Sequence, residues 1–294
     1  MRVGIDSYSY HRLYGELRAG EDAPGAASWP REPSPVLEHA RSLGVDDIFL
    51  ETCYLPEPEH ITFATLAPSG PVHVGFSWGH PWPDGAFHGL DGGRTPAAED
   101  HLARWIALCA RLGESVLRIT LGSPASRGTE PGQVLVDRLI QPTRRVADVA
   151  AEVGLRLAIE NHGDLTAAEV MEIIDRADRP NLGVTLDNLN IIRLGDDMIE
   201  GTRMLAPRTL LVQLKDHRFT PDPSIWGGPL CTALGEGVAP LAEVVDVLDQ
   251  SGFDGPVCVE LASLGPGPVD ELAMIQRSVA WLRDNLPGQH EGPA

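Results

Sequence analysis

Four short apolar segments in the second half of the chain each end at a polar side chain, and this feature restricts the fold most. The segments are residues 157–159, 182–186, 210–212 and 256–259, and they lead to Glu160, Asp187, Gln213 and Glu260. Each polar residue has the opposite parity to the neighbouring Val, Leu and Ile residues, as in a β-strand with one apolar face. The same parity in four strands predicts that these polar side chains point into one shared space.

The rest of the chain repeats the order of one strand followed by one helix. Earlier strands are predicted at 3–7, 47–51, 72–78 and 115–120, and helices at 34–43, 57–66, 95–112, 132–153, 196–205, 240–251 and 268–285, with one more starting at 166. Eight such units predict an α/β protein with a single (β/α)8 TIM barrel, a fold of typically about 250 residues with functional side chains at the C-terminal ends of its strands. We expect the barrel over residues 1–286 and a flexible tail over 287–294.

The composition restricts the partners and the compartment. The chain has 23 Lys and Arg residues against 42 Asp and Glu residues, a net charge of −19, which disfavours nucleic acid and anionic membranes as partners. It shows no apolar signal segment and no run of 18 apolar residues, so a cytoplasmic protein is expected. The four cysteines are widely separated and lack CxxC spacing, so we expect free thiols at Cys53, Cys109, Cys231 and Cys258.

The side chains at the four strand ends have the donor chemistry of a metal site. Three carboxylates and one carboxamide suit a hard divalent cation, and three negative charges around one point repel each other without a cation. We therefore predict one divalent cation bound by Glu160, Asp187, Gln213 and Glu260. Manganese is the first candidate, and magnesium, cobalt and zinc remain alternatives because an oxygen-rich site discriminates weakly by geometry.

Several segments resemble the xylose-isomerase-like TIM-barrel family of sugar isomerases, epimerases and related lyases. They are residues 159–162, 184–187, 212–216 and 252–260, and the resemblance extends over nearly the whole chain. It implies Glu, Asp, His and Glu metal ligands, with both glutamates also transferring protons. Two positions depart from the family pattern: Gln213 replaces the usual His ligand, and Asn190 replaces a His often found after strand six. A glutamine can still ligate through its carbonyl oxygen, and this pattern is similar to family dehydratases acting on dehydroshikimate.

The catalytic candidates are Glu160, Glu260, His162 and Lys215. We expect Glu160 and Glu260 to transfer protons on opposite sides of a bound keto sugar while the metal polarises its carbonyl. His162 follows strand five directly and has the parity of Glu160. Lys215 is the only lysine in the chain, against 22 arginines, so either chance or the need for a compact, pKa-tunable amine placed it there.

Other polar or aromatic residues at or beyond strand ends are candidates to bind the substrate. They could hold hydroxyl, carboxylate or phosphate groups, or pack against a sugar ring. An alternative for each is a structural ion pair, a turn or loop packing. These candidates are Asn190, Arg218, Glu51, His80, Arg118 and Trp226, with Trp78 and Trp82 as further aromatic residues.

Three functions agree with these residues. The first is a metal-dependent sugar or keto-sugar isomerase or epimerase that acts through an enediolate. The second is a metal-dependent lyase using the same site, either a dehydratase of the dehydroshikimate type or a deglycosidase of C-glycosides or 3-keto-glycosides. The third is a sugar-binding protein without catalysis. In each case the partner is a small carbohydrate, and the sequence leaves a homo-oligomer open.

Overall fold

The computed structural model describes residues 1–18, 20–24, 28–66, 72–80, 89–90, 96–220 and 229–288. Its strands are β1 Arg2–Asp6, β2 Asp47–Glu51, β3 His73–Trp78, β4 Val116–Ile119, β5 Arg156–Glu160, β6 Leu182–Asp187, β7 Thr209–Leu214, β8 Asp216–Phe219, β9 Pro229–Thr232 and β10 Pro256–Val259. Its helices are α1 Ser34–Ser42, α2 Phe63–Leu66, α3 Pro96–Leu112, α4 Pro124–Arg127, α5 Gly132–Glu152, α6 Ala167–Ala177, α7 Asn188–Ile191, α8 Met198–Leu205, α9 Leu241–Gln250 and α10 Glu271–Asn285.

Eight of these strands form a closed parallel barrel. The order around it is β1-β10-β7-β6-β5-β4-β3-β2, and β1 pairs with both β2 and β10. The predicted (β/α)8 TIM barrel is therefore confirmed. The tail predicted from residue 287 lies mostly outside the described residues, which end at 288.

The main core lies between the barrel and its helices. On β5, Leu157 and Ile159 are fully buried and belong to the same apolar cluster as Val170 on α6. A capping box opens α6, because the Thr166 hydroxyl accepts from the Glu169 amide at 3.2 Å and the Glu169 carboxylate accepts from the Thr166 amide at 2.8 Å. This core leaves the opposite face of each strand for side chains that point into the barrel.

The helix predicted over 57–66 is wrong. The chain instead forms a 3-10 turn over Pro58–His60 and the four-residue helix α2. Thr62 and Thr65 explain the interruption, because the Thr65 hydroxyl donates to the Thr62 carbonyl at 2.6 Å and accepts from the Thr62 amide at 2.8 Å. Such local side-chain bonds compete with the helical ladder.

The connection between β7 and α9 contains an antiparallel hairpin of β8 and β9. Asp216, which begins β8, organises the return of the chain from this hairpin to α9. Its carboxylate accepts hydrogen bonds at 2.8 to 3.0 Å from four backbone amides, those of His217, Gly235, Gly237 and Ala239. At Gly237 a Cβ atom would lie 2.2 Å from Asp216 Oδ1, so only glycine fits there.

All four cysteines are free and buried, as expected. No helix within the described residues has both the length and the apolar character that crossing a membrane requires.

Candidate functional site

The C-terminal ends of the barrel strands surround a cleft of about 330 Å³, a volume that includes its open mouth. Its acidic lining residues are Glu51 and Glu260, and its basic lining residues are Arg18, Arg118, Arg193 and Lys215. In TIM barrels functional side chains lie at the C-terminal ends of the strands, a tendency called here the strand-end rule, and the cleft lies at this end of the barrel.

Lys215 lies between two carboxylates on the floor of this cleft. Its Nζ atom is 2.7 Å from Asp187 Oδ2 and 2.7 Å from Glu260 Oε1. All three side chains are buried, with at most 5% of any of them exposed. The ammonium therefore bridges two of the four residues predicted to bind a metal.

Arg118 forms a second bridge beside the first. Its Nη1 atom is 3.2 Å from Glu51 Oε1, and its Nη2 atom contacts Glu160 Oε2. Burial works to lower the pKa of Arg118, but Glu160 and Glu51 outweigh it and raise the pKa, so the guanidinium stays charged. The predicted substrate-binding residues Glu51 and Arg118 thus hold each other in place.

Asn190 and Gln213 complete the polar network. The Asn190 amide donates to Glu160 Oε1 at 3.1 Å and to Asp187 Oδ2 at 2.5 Å, which links these two carboxylates. The Gln213 amide donates to Asp6 Oδ2 at 3.0 Å, while its Oε1 atom is buried without a hydrogen-bond partner among the described residues.

The buried carboxyl groups outnumber the cations that face them. Burial raises the pKa of Glu51, Glu160 and Glu260, because desolvation penalises their charged forms more than Arg118 and Lys215 favour them. For Lys215, burial lowers the pKa, but Asp187, Glu260 and Glu160 together outweigh it and raise the pKa. Lys215 is therefore an ammonium near neutral pH.

Two histidines line the cleft above the carboxylates. His162 Nδ1 lies 3.0 Å from the Gly122 carbonyl oxygen, which can only accept, so Nδ1 carries the proton. Burial and then the charge of Arg118 lower the pKa of His162 well below its usual value, so the ring is neutral and Nε2 is an acceptor. His80 Nε2 lies 2.8 Å from Glu16 Oε1, and burial lowers the pKa of His80 despite this contact.

The structure brings most of the predicted site residues to this place. Those that line the cleft are Glu260, His162, Lys215, Asn190, Glu51, His80 and Arg118. Glu160, Asp187 and Gln213 are buried beside them, and their contacts are with the network rather than with the open cleft.

Arg218 and the tryptophans have other positions. Arg218 is exposed on β8 and does not line the cleft, because the barrel strand ends at Leu214 and the hairpin turns Arg218 outward. The Trp78 indole is buried and donates to His101 Nδ1 on α3 at 2.9 Å, so it packs outside the barrel mouth. Trp226 and Trp82 lie outside the described residues.

Sequence reasoning missed Tyr8, Arg18 and Arg193, which also line the cleft. Tyr8 comes two residues after β1, so the strand-end rule applied to β1 would have found it. Arg18 lies in a long connection and Arg193 follows the short helix α7. No local pattern marks either arginine as a site residue.

The fold agrees with a comparison against family models. Residues 73–285, well over half of the chain, match the model of the xylose isomerase-like TIM barrel. The chain belongs to this family. The resemblance inferred from the four strand-end segments is confirmed.

Two curated relatives match shorter parts of the chain. The uncharacterized protein YihM of Escherichia coli K12 is 26% identical over 111 residues, which are 38% of this chain and 34% of YihM. The 3-oxo-isoapionate decarboxylase of Pectobacterium atrosepticum is 23% identical over 130 residues, which are 44% of this chain and 45% of that enzyme. The chain thus covers less than half the length of each relative.

Solved structures match the whole barrel. A D-psicose 3-epimerase crystallised in the presence of D-fructose has a TM-score of 0.71 and 18% identity, covering 98% of this chain and 100% of its own. The IolI protein with a bound zinc atom also has a TM-score of 0.71, with 16% identity, covering 99% of this chain and 100% of its own. At these identities the likeness shows the shared fold alone.

The family implies a metal, and the donors in this chain suit one in part. Gln213 Oε1 and Glu260 Oε2 are buried oxygens without a hydrogen-bond partner among the described residues. Such oxygen atoms are the donors that a hard cation prefers. However, Lys215 lies on Asp187 and Glu260, and Arg118 lies on Glu160. Within the described ranges no three His, Cys, Asp or Glu side chains are placed to share a metal ion. A divalent cation would therefore have to displace Lys215 from the carboxylates that it bridges.

Proposed function

We propose that this chain is an enzyme that isomerises or epimerises a sugar or keto sugar by removing a proton next to a carbonyl group. One observation supports this most directly. Glu260 lines the cleft with one oxygen, Oε1, held by Lys215 at 2.7 Å and with Oε2 free of any hydrogen-bond partner among the described residues. A carboxylate with a free oxygen beside a buried cation suits proton abstraction next to a carbonyl.

The chain's own residues supply each step of this reaction. Glu260 Oε2 takes the α proton, the electron pair of the broken C–H bond forms a carbon–carbon double bond, and the π pair of the carbonyl moves to its oxygen, giving an enediolate. Lys215 and Arg118 stabilise the negative charge, because both are buried cations in a site with little water. Glu160, whose pKa is raised by burial, returns a proton to the opposite face or to the neighbouring carbon.

His162 and Asn190 position the substrate in this proposal. The neutral His162 ring can accept a hydroxyl hydrogen through Nε2 because Nδ1 is held by Gly122. Asn190 keeps Glu160 beside Asp187. A divalent cation held by Glu160, Asp187, Gln213 and Glu260 would add Lewis-acid polarisation of the carbonyl.

Solvent exchange tests this proposal. We expect deuterium at the α carbon of a ketohexose or ketopentose during turnover in D2O, read by NMR across a panel of sugars. The Glu260→Gln variant should lose about 10²–10⁴-fold in rate, the usual contribution of one proton-transfer group. Each assay is run with EDTA and with manganese, magnesium, cobalt or zinc.

Glu236→Gln provides the matched control, because Glu236 makes a half-exposed ion pair with Arg277 and neither residue lines the cleft. Turnover without deuterium incorporation, or equal rates for Glu260→Gln and Glu236→Gln, would contradict the mechanism. Sugar binding without turnover on any substrate would favour the binding-protein alternative.

A lyase is the second candidate, and the decarboxylase relative favours one form of it. In a 3-oxo sugar acid, the bond to the carboxylate carbon breaks, CO2 leaves, and the electron pair forms the same kind of enolate next to the oxo group. A proton from glutamate then replaces the carboxylate. The four basic residues in the cleft suit such an anionic substrate.

Product analysis separates the two candidates. A decarboxylase releases CO2 from a 3-oxo sugar acid in proportion to substrate consumed, whereas an epimerase releases none. A dehydratase would form an enone from dehydroshikimate, and a deglycosidase would release an aglycone from a keto-glycoside. Exchange of the α proton, with no loss of CO2, water or an aglycone from the substrate, identifies the isomerase or epimerase.

A further inference from the structure

Basic side chains are concentrated in the cleft although the protein as a whole is acidic. The chain carries a net charge of −19 with 23 Lys and Arg residues, yet four of these line one cleft of about 330 Å³. Arg118 and Lys215 are each held between two carboxylates on its floor. Arg18 and Arg193 form the remaining basic part of the wall, and neither is needed for the proton-transfer chemistry.

Arg18 is held in place by its neighbours in the connection after β1. Its guanidinium carbon is 5.0 Å from the centre of the Tyr8 ring, and its Nε atom donates to the Tyr8 hydroxyl. Glu16 Oε1 lies 3.7 Å from the same Nε atom. The side chain keeps 26% of its area exposed, compared with 3% for Lys215, so it lies nearer the mouth of the cleft.

Arg193 approaches the same cleft from the 3-10 turn after α7. A Cβ atom on Gly163 would lie 3.0 Å from Arg193 Cδ, so the glycine leaves room for the stem of the arginine. Burial lowers the pKa of Arg193, Asp187 raises it in part, and the positive charge of Arg18 adds to the lowering. Two cationic side chains that line the same cleft favour an anion within it.

We propose that Arg18 and Arg193 bind an anionic group of the substrate, a carboxylate or a phosphate. This inference rests on the proposed function for the rest of the ligand, and it narrows the substrate class from neutral sugars to keto-sugar acids or keto-sugar phosphates. An anion at this position offsets the repulsion between the two guanidinium groups and accepts charge-assisted hydrogen bonds from them. The small cleft suits a single sugar unit.

Equilibrium binding tests the inference without turnover. The probes are D-fructose, 5-keto-D-gluconate and D-fructose 6-phosphate, measured by calorimetry with the full chain. We expect at least one anionic probe to bind about tenfold or more tightly than D-fructose, and the carboxylate and phosphate arms identify which group is preferred. Arg193→Gln should remove this preference while changing D-fructose affinity less than about twofold, and Arg193→Lys should retain part of it.

Arg203→Gln is the matched control, because Arg203 pairs with Glu200 on the exposed surface of α8. Circular dichroism confirms folding of each variant. Equal affinity for neutral and anionic probes, an unchanged preference in Arg193→Gln, or no binding of any probe at millimolar concentration would overturn the inference. Because binding needs no chemistry, the anion preference stands if deuterium exchange fails, and the reaction stands if the preference fails.

Discussion

At the residue scale, Lys215 decides how the site is charged. It is the only lysine of the chain, and it bridges Asp187 and Glu260 at 2.7 Å on both sides. A divalent cation and this ammonium cannot satisfy the same two carboxylates at once, so they compete. A divalent cation held by Asp187 and Glu260 would have to displace Lys215, which holds these two carboxylates together in this structure.

Replacing Lys215 with methionine should make this competition visible. Without the ammonium, Asp187 and Glu260 lose their shared cation, and we expect the free energy of unfolding in EDTA to fall by about 3–5 kcal/mol. Manganese should bind Lys215→Met about tenfold or more tightly than the parent protein and restore part of its stability. Calorimetry and thermal melting measure both effects, and Lys215→Arg serves as the charge-preserving control.

A second measurement uses the parent protein instead of a variant. The single lysine allows one side-chain signal in protein labelled with ¹⁵N-lysine, and titration with diamagnetic magnesium should shift it if the cation displaces the ammonium. Competition between Lys215 and a cation is contradicted if magnesium binds and the lysine signal stays unchanged, and if the parent protein and Lys215→Met bind manganese equally tightly.

At the scale of elements, Lys215 and Asp216 are neighbours with separate tasks. Lys215 points into the cleft, whereas Asp216 begins the hairpin and accepts from four backbone amides. The conformation of the segment between β9 and α9 depends on this carboxylate. The same short motif therefore supplies one site residue and one structural residue.

The Asp216→Asn variant tests this structural role. The amide keeps only one accepting oxygen, so we expect a loss of about 2–3 kcal/mol in the free energy of unfolding, since hydrogen bonds to charged groups contribute about 1.5–3 kcal/mol. Urea denaturation measures the loss, and hydrogen exchange should increase at the Gly235 and Gly237 amides. Asp249→Asn, at an exposed position of α9, is the control. Equal stability of the two variants would show that the four contacts contribute little.

At the scale of the whole molecule, charged clusters lie at both ends of the barrel. The end opposite the cleft carries His73 at the start of β3, with its Nδ1 atom 2.9 Å from Asp47 and its Nε2 atom 2.9 Å from Glu114. The hydrogen bonds that His73 donates to Asp47 and then to Glu114 raise the pKa of His73 to about 9. This cluster joins β2, β3 and the segment before β4, away from any proposed chemistry.

This cluster predicts a pH dependence of stability. Because the pKa of His73 is raised in the folded state, its contribution is complete below its unfolded pKa of about 6.5 and is lost as the pH rises through about 9. The side chain is 47% exposed, so solvent screening reduces the effect to about 1 kcal/mol. Urea unfolding at pH 6 and pH 9.5 measures it, and His73→Gln should lose this difference. A His73→Gln protein with the same pH slope would refute the assignment.

The sequence predicted the barrel and most of the cleft because both depend on local order. The strand period that places Glu160 opposite Leu157 and Ile159, and Glu260 opposite Val257 and Val259, can be read from adjacent residues. The wrong predictions fall where the local sequence pattern is interrupted by side-chain hydrogen bonds or is weak. Thr62 and Thr65 interrupt a helix through their own hydroxyls, and Arg218 lies in a hairpin that has no strong alternation.

By itself, the sequence determined the eight barrel strands, most of the helices, the family and the acidic strand ends, since each is encoded in short stretches of the chain. Only the tertiary structure decided that Lys215 bridges Asp187 and Glu260, that Arg118 bridges Glu51 and Glu160, and that Arg18 and Arg193 line one cleft. The physical reason is distance along the chain. Side chains from distant strands and loops meet only when the barrel closes, and each charged side chain then pairs with the oppositely charged groups that the fold places next to it.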